Sequence, residues 1–330
     1  MSLSIDSETL GLYKYFSPSW KLHFLKISAC SGNFPFDKFL KNYINSKLNS
    51  LSLTIGTIGK YFSKTNNNRA LIYKRFSNCI EYFYDLKELH IDFPFLNSQS
   101  RLEAKKSLKW TKLKNLKKLS LSSFSSHVSY SVFQISSLDK LAANLEEFRL
   151  IHNSGYVEDV EFFPCFQSLK NLRHLAINLN LNQVNYKYFG SIVNCSQLET
   201  ISLIGIFSHN FPLDSLSKLK NLKEVSFYEP DFFPSNHVKK LDYNFSFEKL
   251  EKVCLVDAFN LFSLKNMNEA LQNSSCLREL KIGILFKDLG ELFDGISQCS
   301  LENLSIRIFK VLPPYGKPMK IFTTFLKKQN

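Results

Sequence analysis

Residues 113–121 read Leu-Lys-Asn-Leu-Lys-Lys-Leu-Ser-Leu, and the first four residues of this stretch return at residues 169–172 and 219–222. Apolar side chains follow each copy at the same steps. In the first copy these side chains are Leu116, Leu119 and Leu121. A step of three followed by a step of two fits neither a continuous helix nor a long strand. The pattern predicts a turn that leads into a short strand whose alternate side chains point inward.

The same apolar triple recurs along almost the whole chain. The middle members of successive triples lie 24–30 residues apart, except for a gap of 38 residues between Leu51 and Leu89. Self-similarity at a period of 20–50 residues is the signature of a solenoid. The eleven triples are Leu22, Leu25, Ile27; Leu48, Leu51, Leu53; Leu86, Leu89, Ile91; Leu116, Leu119, Leu121; Leu145, Phe148, Leu150; Leu172, Leu175, Ile177; Leu198, Ile201, Leu203; Leu222, Val225, Phe227; Leu250, Val253, Leu255; Leu277, Leu280, Ile282; and Leu301, Leu304, Ile306.

This arrangement resembles the leucine-rich-repeat family, whose unit is Leu-x-x-Leu-x-Leu-x-x-Asn/Cys-x-Leu over 20–29 residues. The resemblance covers residues 22–309 and is closest to the longer, helix-containing classes (the cysteine-containing and ribonuclease-inhibitor-like types). The Asn/Cys position is kept only at Cys30, Asn153 and Asn180, so we expect irregular turns in many repeats. The resemblance implies an α/β fold, namely a right-handed solenoid (horseshoe) with a parallel concave sheet of about eleven strands and convex helices.

A repeat array of this kind forms one elongated domain, because each unit contacts only its neighbours. We therefore expect a single domain over residues 1–330, with an N-terminal cap at 1–20, about eleven repeats at 21–309 and a C-terminal cap at 310–330. The long gap predicts an insertion near residues 56–85. A strand that caps the last repeat is predicted over residues 319–326. Helical spacing predicts one helix through Leu264, Met267 and Leu271 and another through Leu289, Leu292, Phe293 and Ile296. It also predicts helices over residues 70–86 and 98–112.

The seven cysteines are widely spread and form no paired cluster, which favours free thiols in a reducing compartment. Three of them, Cys195, Cys276 and Cys299, stand just ahead of triples and are predicted to be buried. No signal peptide and no apolar run long enough to span a membrane is visible. We therefore expect an intracellular, cytoplasmic protein, with a nuclear location or export as an effector left open.

The sequence offers no catalytic motif. Gly-Thr-Ile-Gly-Lys at residues 56–60 lacks the spacing and the Ser/Thr of a phosphate-binding loop. His90 and His174 fall on the predicted concave face three repeats apart, too far to share a metal ion at about 4.8 Å per strand. Cys254 faces the same way, but His174 is again three repeats from it. We therefore expect no enzyme activity, no metal and no cofactor.

The residues between the apolar positions line the predicted concave face in three rows, which together carry six Lys or Arg and five Asp or Glu. A nearly neutral surface of this kind suits a protein partner better than a nucleic acid. We expect a non-enzymatic interaction scaffold, a monomer, that binds a protein on this face. The residues predicted to form the contact are Ile151, Ala176, Ser202, Ile204, Ser226, Tyr228, Cys254 and Val256, although loops covering this stripe remain the alternative.

The net charge of +13 leaves a second hypothesis open. Residues 105–118 hold seven lysines and Trp110, so the protein could be a basic adaptor for nucleic acid or anionic lipid. The alternative is a solvated helix face. With 35 Lys and only 7 Arg, the composition is not that of a typical phosphate-reading surface. The seven lysines are Lys105, Lys106, Lys109, Lys112, Lys114, Lys117 and Lys118.

Family resemblance alone implies two further roles. Similar repeats serve as substrate-recognition subunits of ubiquitin ligases beside an F-box, although residues 1–20 show no F-box pattern. Repeats of this class also occur in effectors that pathogens deliver into host cells. Neither role predicts particular residues in this sequence.

Overall fold

The computed structural model describes residues 2–5, 21–28, 48–54, 83–93, 113–123, 144–152, 168–179, 191–204, 213–228, 248–256, 264–285, 289–297, 299–311 and 318–327. They belong to two compact units, Met1–Leu172 and Arg173–Asn330. Each unit is described by itself below. The expected organisation into one domain with two caps stays a prediction.

The first unit contains a parallel sheet in chain order. Each strand pairs in parallel with the one before it, although a whole repeat of sequence separates them. This one-strand-per-repeat topology is that of a solenoid. The strands are β1 (Ser2–Ile5), β2 (Phe24–Ser28), β3 (Ser50–Thr54), β4 (Glu88–Phe93), β5 (Lys118–Ser123) and β6 (Glu147–His152).

The second unit repeats this topology and ends with a strand of opposite direction. Its parallel strands are β7 (His174–Leu179), β8 (Thr200–Ile204), β9 (Glu224–Tyr228), β10 (Lys252–Val256), β11 (Glu279–Leu285) and β12 (Asn303–Val311). β13 (Pro318–Lys327) then pairs antiparallel with β12. A strand is therefore present where the sequence predicted one at the C-terminal end.

The eleven predicted triples correspond to β2–β12, one triple in each repeat. Their side chains are buried, with the exception of the half-buried Leu301. The last two members of each triple lie on a strand two residues apart, so both point to the same side of the sheet. Each buried leucine or isoleucine side chain contributes about 1.5–3 kcal/mol relative to an exposed one. The core is therefore a column of aliphatic side chains within each unit.

The Leu-Lys-Asn-Leu copies form the same turn each time. The amide of Leu116 donates to the carbonyl of Leu113 at 3.2 Å, and the copies at Leu172 and Leu222 make the equivalent bond at 3.1 and 3.3 Å. The next two amides, those of Lys117 and Lys118, both donate to the Lys87 carbonyl of the preceding repeat, at 2.8 and 2.9 Å. The turn thus fixes where the strand begins and joins it to its neighbour.

Asparagine side chains add a second link between neighbouring repeats. Asn115 Nδ2 donates to the Tyr84 carbonyl at 3.1 Å, and Asn221 Nδ2 donates to the Ser196 carbonyl at 2.8 Å. Asn144, just before the next triple, donates to the Lys114 carbonyl at 2.7 Å. Each of these three asparagines immediately precedes the first leucine of a triple.

Helices occupy two of the four ranges in which the sequence indicated them; residues 70–82 and 98–112 lie outside the described residues, and residues 83–86 form a turn instead of a helix. The two helices are α1 (Leu264–Gln272) and α2 (Leu289–Ile296), and a 3-10 helix precedes β9 at Leu213–Lys218. Met267, Leu271 and Leu292 are buried as expected, whereas Phe293 is 47% exposed. Placing Phe293 on the buried face was wrong. That helices line the convex side of the other repeats stays a prediction.

The three cysteines ahead of triples differ from one another. Cys195 is buried and Cys299 is half-buried, with its Sγ 3.2 Å from the Leu271 carbonyl oxygen. Cys276 is exposed, so the prediction of burial was wrong there. Cys276 lies at a bend before β11, directly ahead of the buried Leu277. Cys30, Cys79 and Cys165 lie outside the described residues, as do residues 56–82 of the predicted insertion.

Candidate functional site

Each sheet has a polar face, defined as the side opposite the buried triples. The strand register places its residues in the rows that the sequence predicted. In the first unit, one row runs through Lys26, Ser52, His90, Ser120 and Arg149. In the second unit, the equivalent row runs through Ala176, Ser202, Ser226, Cys254, Lys281 and Ser305. These rows are the middle rows of the two polar faces.

The second unit carries an apolar stripe on its polar face. The stripe consists of Ile204, Tyr228 and Val256, which are register partners at the ends of β8, β9 and β10. All three side chains are half-buried. They are held side by side because each terminates a strand that pairs with the next. The sequence-based prediction of these three residues as neighbours is therefore consistent with the register.

A row of small side chains lies beside the apolar stripe. Ala176, Ser202, Ser226 and Cys254 follow one another across β7–β10, and all are half-buried. Because these side chains are short, a partner could approach the backbone of the sheet closely. Seven of the eight predicted contact residues thus lie together in the second unit. The eighth, Ile151, lies on β6 in the first unit.

Cys254 is poorly suited to act as a nucleophile. Burial raises the pKa of its thiol above the usual value, and this effect outweighs the opposing influence of the Val256 backbone, of Lys281 and Lys252, and of a hydrogen bond with Ser226. A thiol needs a lowered pKa to react as thiolate near neutral pH. His174, three strands away on β7, makes a 2.9 Å hydrogen bond through Nδ1 with Thr200 Oγ1. The pair therefore has no arrangement for catalysis.

The first unit carries a groove on its polar face that the sequence did not single out. We call it the first-unit groove; it has a volume of about 410 Å³ and crosses β2–β6. Ile151 lines it at one end and Phe24 at the other. Its lining residues are Phe24, Lys26, Ser50, Ser52, Glu88, Leu89, His90, Lys118, Leu119, Ser120, Glu147, Arg149 and Ile151. The signal that could have predicted it is the alternation of serine with longer basic side chains in the middle row.

The two carboxylates in the first-unit groove are both ion-paired. Lys118 Nζ lies 3.0 Å from Glu88 Oε1, and Arg149 Nε is bonded to Glu147 Oε1. The hydrogen bond and the charge of Glu88 raise the pKa of Lys118 above its usual value. Both cationic side chains remain more than half exposed, at 51% and 57%. Pairs this exposed contribute little to stability.

His90 stands at the centre of the groove and is half-buried. Burial lowers the pKa of its imidazole below the usual value; the charge of Asp92 opposes this effect, and those of Lys26 and Arg149 add to it. Asp92 also accepts a 2.8 Å hydrogen bond from Ser122 Oγ. Burial therefore favours the neutral form of His90, and the nearby charges of both signs partly offset one another.

Three of the seven lysines of the alternative basic patch lie in the described part of the chain. Lys117 Nζ is 2.7 Å from Glu146 Oε1, and Lys118 is paired with Glu88 as above. Lys114 is exposed. Lys105, Lys106, Lys109 and Lys112 lie outside the described residues. Carboxylates thus neutralise two of the three described lysines, which weakens the case for a phosphate-binding surface at this end of the patch.

Two further properties bear on function. Among the described residues, no group of three or more His, Cys, Asp or Glu side chains is placed to hold a metal ion. Within the same residues, no helix is long and apolar enough to cross a membrane.

Together the repeated triple, one parallel strand per repeat and the buried leucine column define the class: the fold is that of a leucine-rich-repeat solenoid. No protein-family model matches the sequence, and no curated protein matches it significantly. Among solved structures, the TLR13–ssRNA13 complex is similar at 15% identity and a TM-score of 0.47, covering 91% of this chain and 41% of that one. The internalin inlF from Listeria monocytogenes is similar at 12% identity and a TM-score of 0.35, covering 86% and 68%.

Proposed function

We propose that the protein is a non-enzymatic binding scaffold that docks another protein on the polar face of its second unit. The observation that supports this proposal is the apolar stripe, in which Ile204, Tyr228 and Val256 are register neighbours on three adjacent strands. Aromatic and aliphatic side chains grouped in this way are typical of the centre of a protein interface.

The surroundings of the stripe fit the same role. On one side lies the row of small residues, and beyond it the flanking row contains Glu224, Lys252 and Glu279. Lys252 Nζ is 3.4 Å from Glu279 Oε2, and both side chains are partly exposed. A polar, mixed-charge rim around an apolar centre is the usual arrangement of a protein–protein contact. A continuous phosphate backbone would instead favour a surface with an excess of cations.

The chemistry of the described residues supports binding rather than catalysis. The Cys254 thiol has a raised pKa, and His174 is engaged with Thr200. Neither group is paired with a partner that would activate it.

Tyr228→Glu tests the proposal, because it places a carboxylate at the centre of the stripe. Burying an unpaired charge in an interface costs several kcal/mol, so we expect recovery of the partner to fall by at least about tenfold. The matched control is Tyr84→Glu, the same substitution at a tyrosine that is 60% exposed and does not lie on a strand.

The measurement is quantitative mass spectrometry of proteins that co-purify with the full chain, followed by a titration of the purified partner. Circular dichroism melts of both variants establish that the fold is intact. Partner recovery that is unchanged by Tyr228→Glu, or reduced equally by Tyr84→Glu, would contradict the proposed contact.

A further inference from the structure

The middle row of the first-unit groove alternates basic side chains with serines. It reads Lys26, Ser52, His90, Ser120, Arg149 across β2–β6, each residue being the register partner of the next. All five line the groove. Lysine and arginine donate hydrogen bonds only, and a serine hydroxyl can also donate. Each serine is therefore a short side chain between two longer ones that can attract an anion or donate a hydrogen bond to it. We call each serine together with these two neighbours a seat.

The charge balance of the groove leaves the middle row available to a ligand. Glu88 is paired with Lys118, and Glu147 is bonded through one nitrogen of Arg149. A guanidinium has five N–H donors, so Arg149 can bind a further anion while it holds Glu147. Lys26 is exposed at the other end of the row. His90, between the two serines, has a pKa lowered mainly by burial; the charge of Asp92 opposes this effect, and those of Lys26 and Arg149 add to it.

We propose that the first-unit groove binds an extended acidic segment of a partner protein, with one carboxylate over Ser52 and another over Ser120. These two seats are two strands apart, about 9.6 Å at 4.8 Å per strand. In an extended chain of the polyproline II type, which has three residues per turn, residues three positions apart lie on the same face about 9.3 Å from each other. Acidic residues at positions i and i+3 of such a segment therefore match the two seats. The groove lies wholly in the first unit, and the inference does not depend on the contact proposed for the second.

The same groove is a poor site for nucleic acid. Glu88 and Glu147 line it alongside the cations, and both would face a backbone that carries a phosphate at every nucleotide. An acidic peptide can instead place its carboxylates at the two seats and uncharged residues elsewhere. The charge pattern therefore favours a spaced pair of carboxylates over a continuous polyanion.

The test uses the full chain and a fluorescein-labelled peptide of about eight residues, roughly 26 Å when extended. The probe carries two glutamates three positions apart among serines and alanines. An isomer of the same composition carries them side by side. The groove variant is Lys26→Ala combined with Arg149→Ala. The matched control is Lys281→Ala, because Lys281 also lies in a middle row and pairs with the glutamate two residues earlier, Glu279.

Fluorescence anisotropy titrations at about 100 mM salt give the dissociation constants. We expect the groove variant to weaken binding of the spaced peptide by at least about tenfold, and Lys281→Ala to change it by less than about twofold. The isomer with adjacent glutamates should bind the wild-type chain less tightly than the spaced peptide. Tyr228→Glu should leave peptide binding unchanged, which separates this inference from the proposed function.

Three results would overturn the inference. One is no binding of the spaced peptide at up to about 1 mM, a concentration that detects even the weakest specific complexes. Another is equal affinity for the wild type and the groove variant, once both are seen to melt alike by circular dichroism. The third is that an oligouridine RNA displaces the peptide and loses affinity with the same two substitutions, which would make the groove a nucleic-acid site.

Discussion

At the scale of single residues, an asparagine immediately precedes four of the eleven triples, at Asn115, Asn144, Asn171 and Asn221. Asn115 and Asn221 both donate to a carbonyl of the preceding repeat. The Leu-Lys-Asn-Leu copies display these residues, yet a side chain that bonds to a backbone 25 or 31 residues away leaves no local signal. The burial of strand residues was easier to predict than their hydrogen bonds, because the alternation of side chains along a strand determines which residues face the core.

The lowered pKa of His90 predicts how the stability of the folded protein changes with pH. Its pKa in the folded protein lies below the value of about 6.5 that it has in an unfolded chain. As the pH falls, the unfolded chain therefore takes up this proton first, and the folded state loses stability between about pH 6.5 and the folded pKa. The charged groups facing His90 are Glu88 and Asp92 on its own strand, Lys26 on β2, Lys118 on β5 and Arg149 on β6.

An NMR titration of the imidazole nitrogens measures this pKa. We expect Lys26→Ala to raise the pKa of His90, because it removes a neighbouring positive charge, and Asp92→Asn to lower it. Lys114→Ala, at an exposed lysine outside the groove, should leave it unchanged. A pKa at or above 6.5 in the wild type would contradict the burial of His90, and a fall on Lys26→Ala would contradict its placement beside Lys26.

At the scale of elements, the sequence predicted strands β2–β13 and the two described helices, but not how closely the helices approach each other. A Cβ added to Gly295 of α2 would lie 2.5 Å from Oδ1 of the buried Asn268 on α1. Spacing rules assign a side chain to a face; they do not give the distance between two faces. Phe293 shows the same limit: its spacing places it on the apolar face of the helix, yet its side chain is 47% exposed.

Gly295→Ala should therefore destabilise the protein by about 1–3 kcal/mol, because the added methyl group overpacks the contact between α1 and α2. Gly290→Ala on the same helix is the matched control, since nothing lies within 4 Å of a Cβ at that position. It should be neutral or stabilise by up to about 1 kcal/mol. Urea denaturation measures both changes. Equal effects of the two substitutions would show that the helices are less closely packed than described.

At the scale of the whole molecule, the period of the triples predicted one strand per repeat and the residues of the middle rows. β1 was missed, because Ser2–Ile5 is too short to show more than one step of alternation. The first-unit groove was also missed, although all of its middle-row residues were placed correctly. A groove depends on side-chain length and orientation across several strands, which a repeat pattern does not contain.

The central claim is that successive repeats within each unit pair in parallel and in register, so that the strand residues between the apolar positions share one face. Ser226→Cys tests it directly, because residue 226 is the register partner of Cys254, whereas Ser202 is two strands from it. Directly paired strands are about 4.8 Å apart, a distance that a short thiol bridge can span. Dibromobimane, which becomes strongly fluorescent when it bridges two thiols, followed by peptide mass spectrometry, detects the link.

The account predicts a bridge between position 226 and Cys254 in Ser226→Cys, and none between position 202 and Cys254 in Ser202→Cys, where the separation is about 9.6 Å. The wild-type chain gives the background from its own cysteines. The absence of a bridge in Ser226→Cys, or a bridge of equal yield in Ser202→Cys, would contradict the register of the second unit and with it the binding surface proposed there.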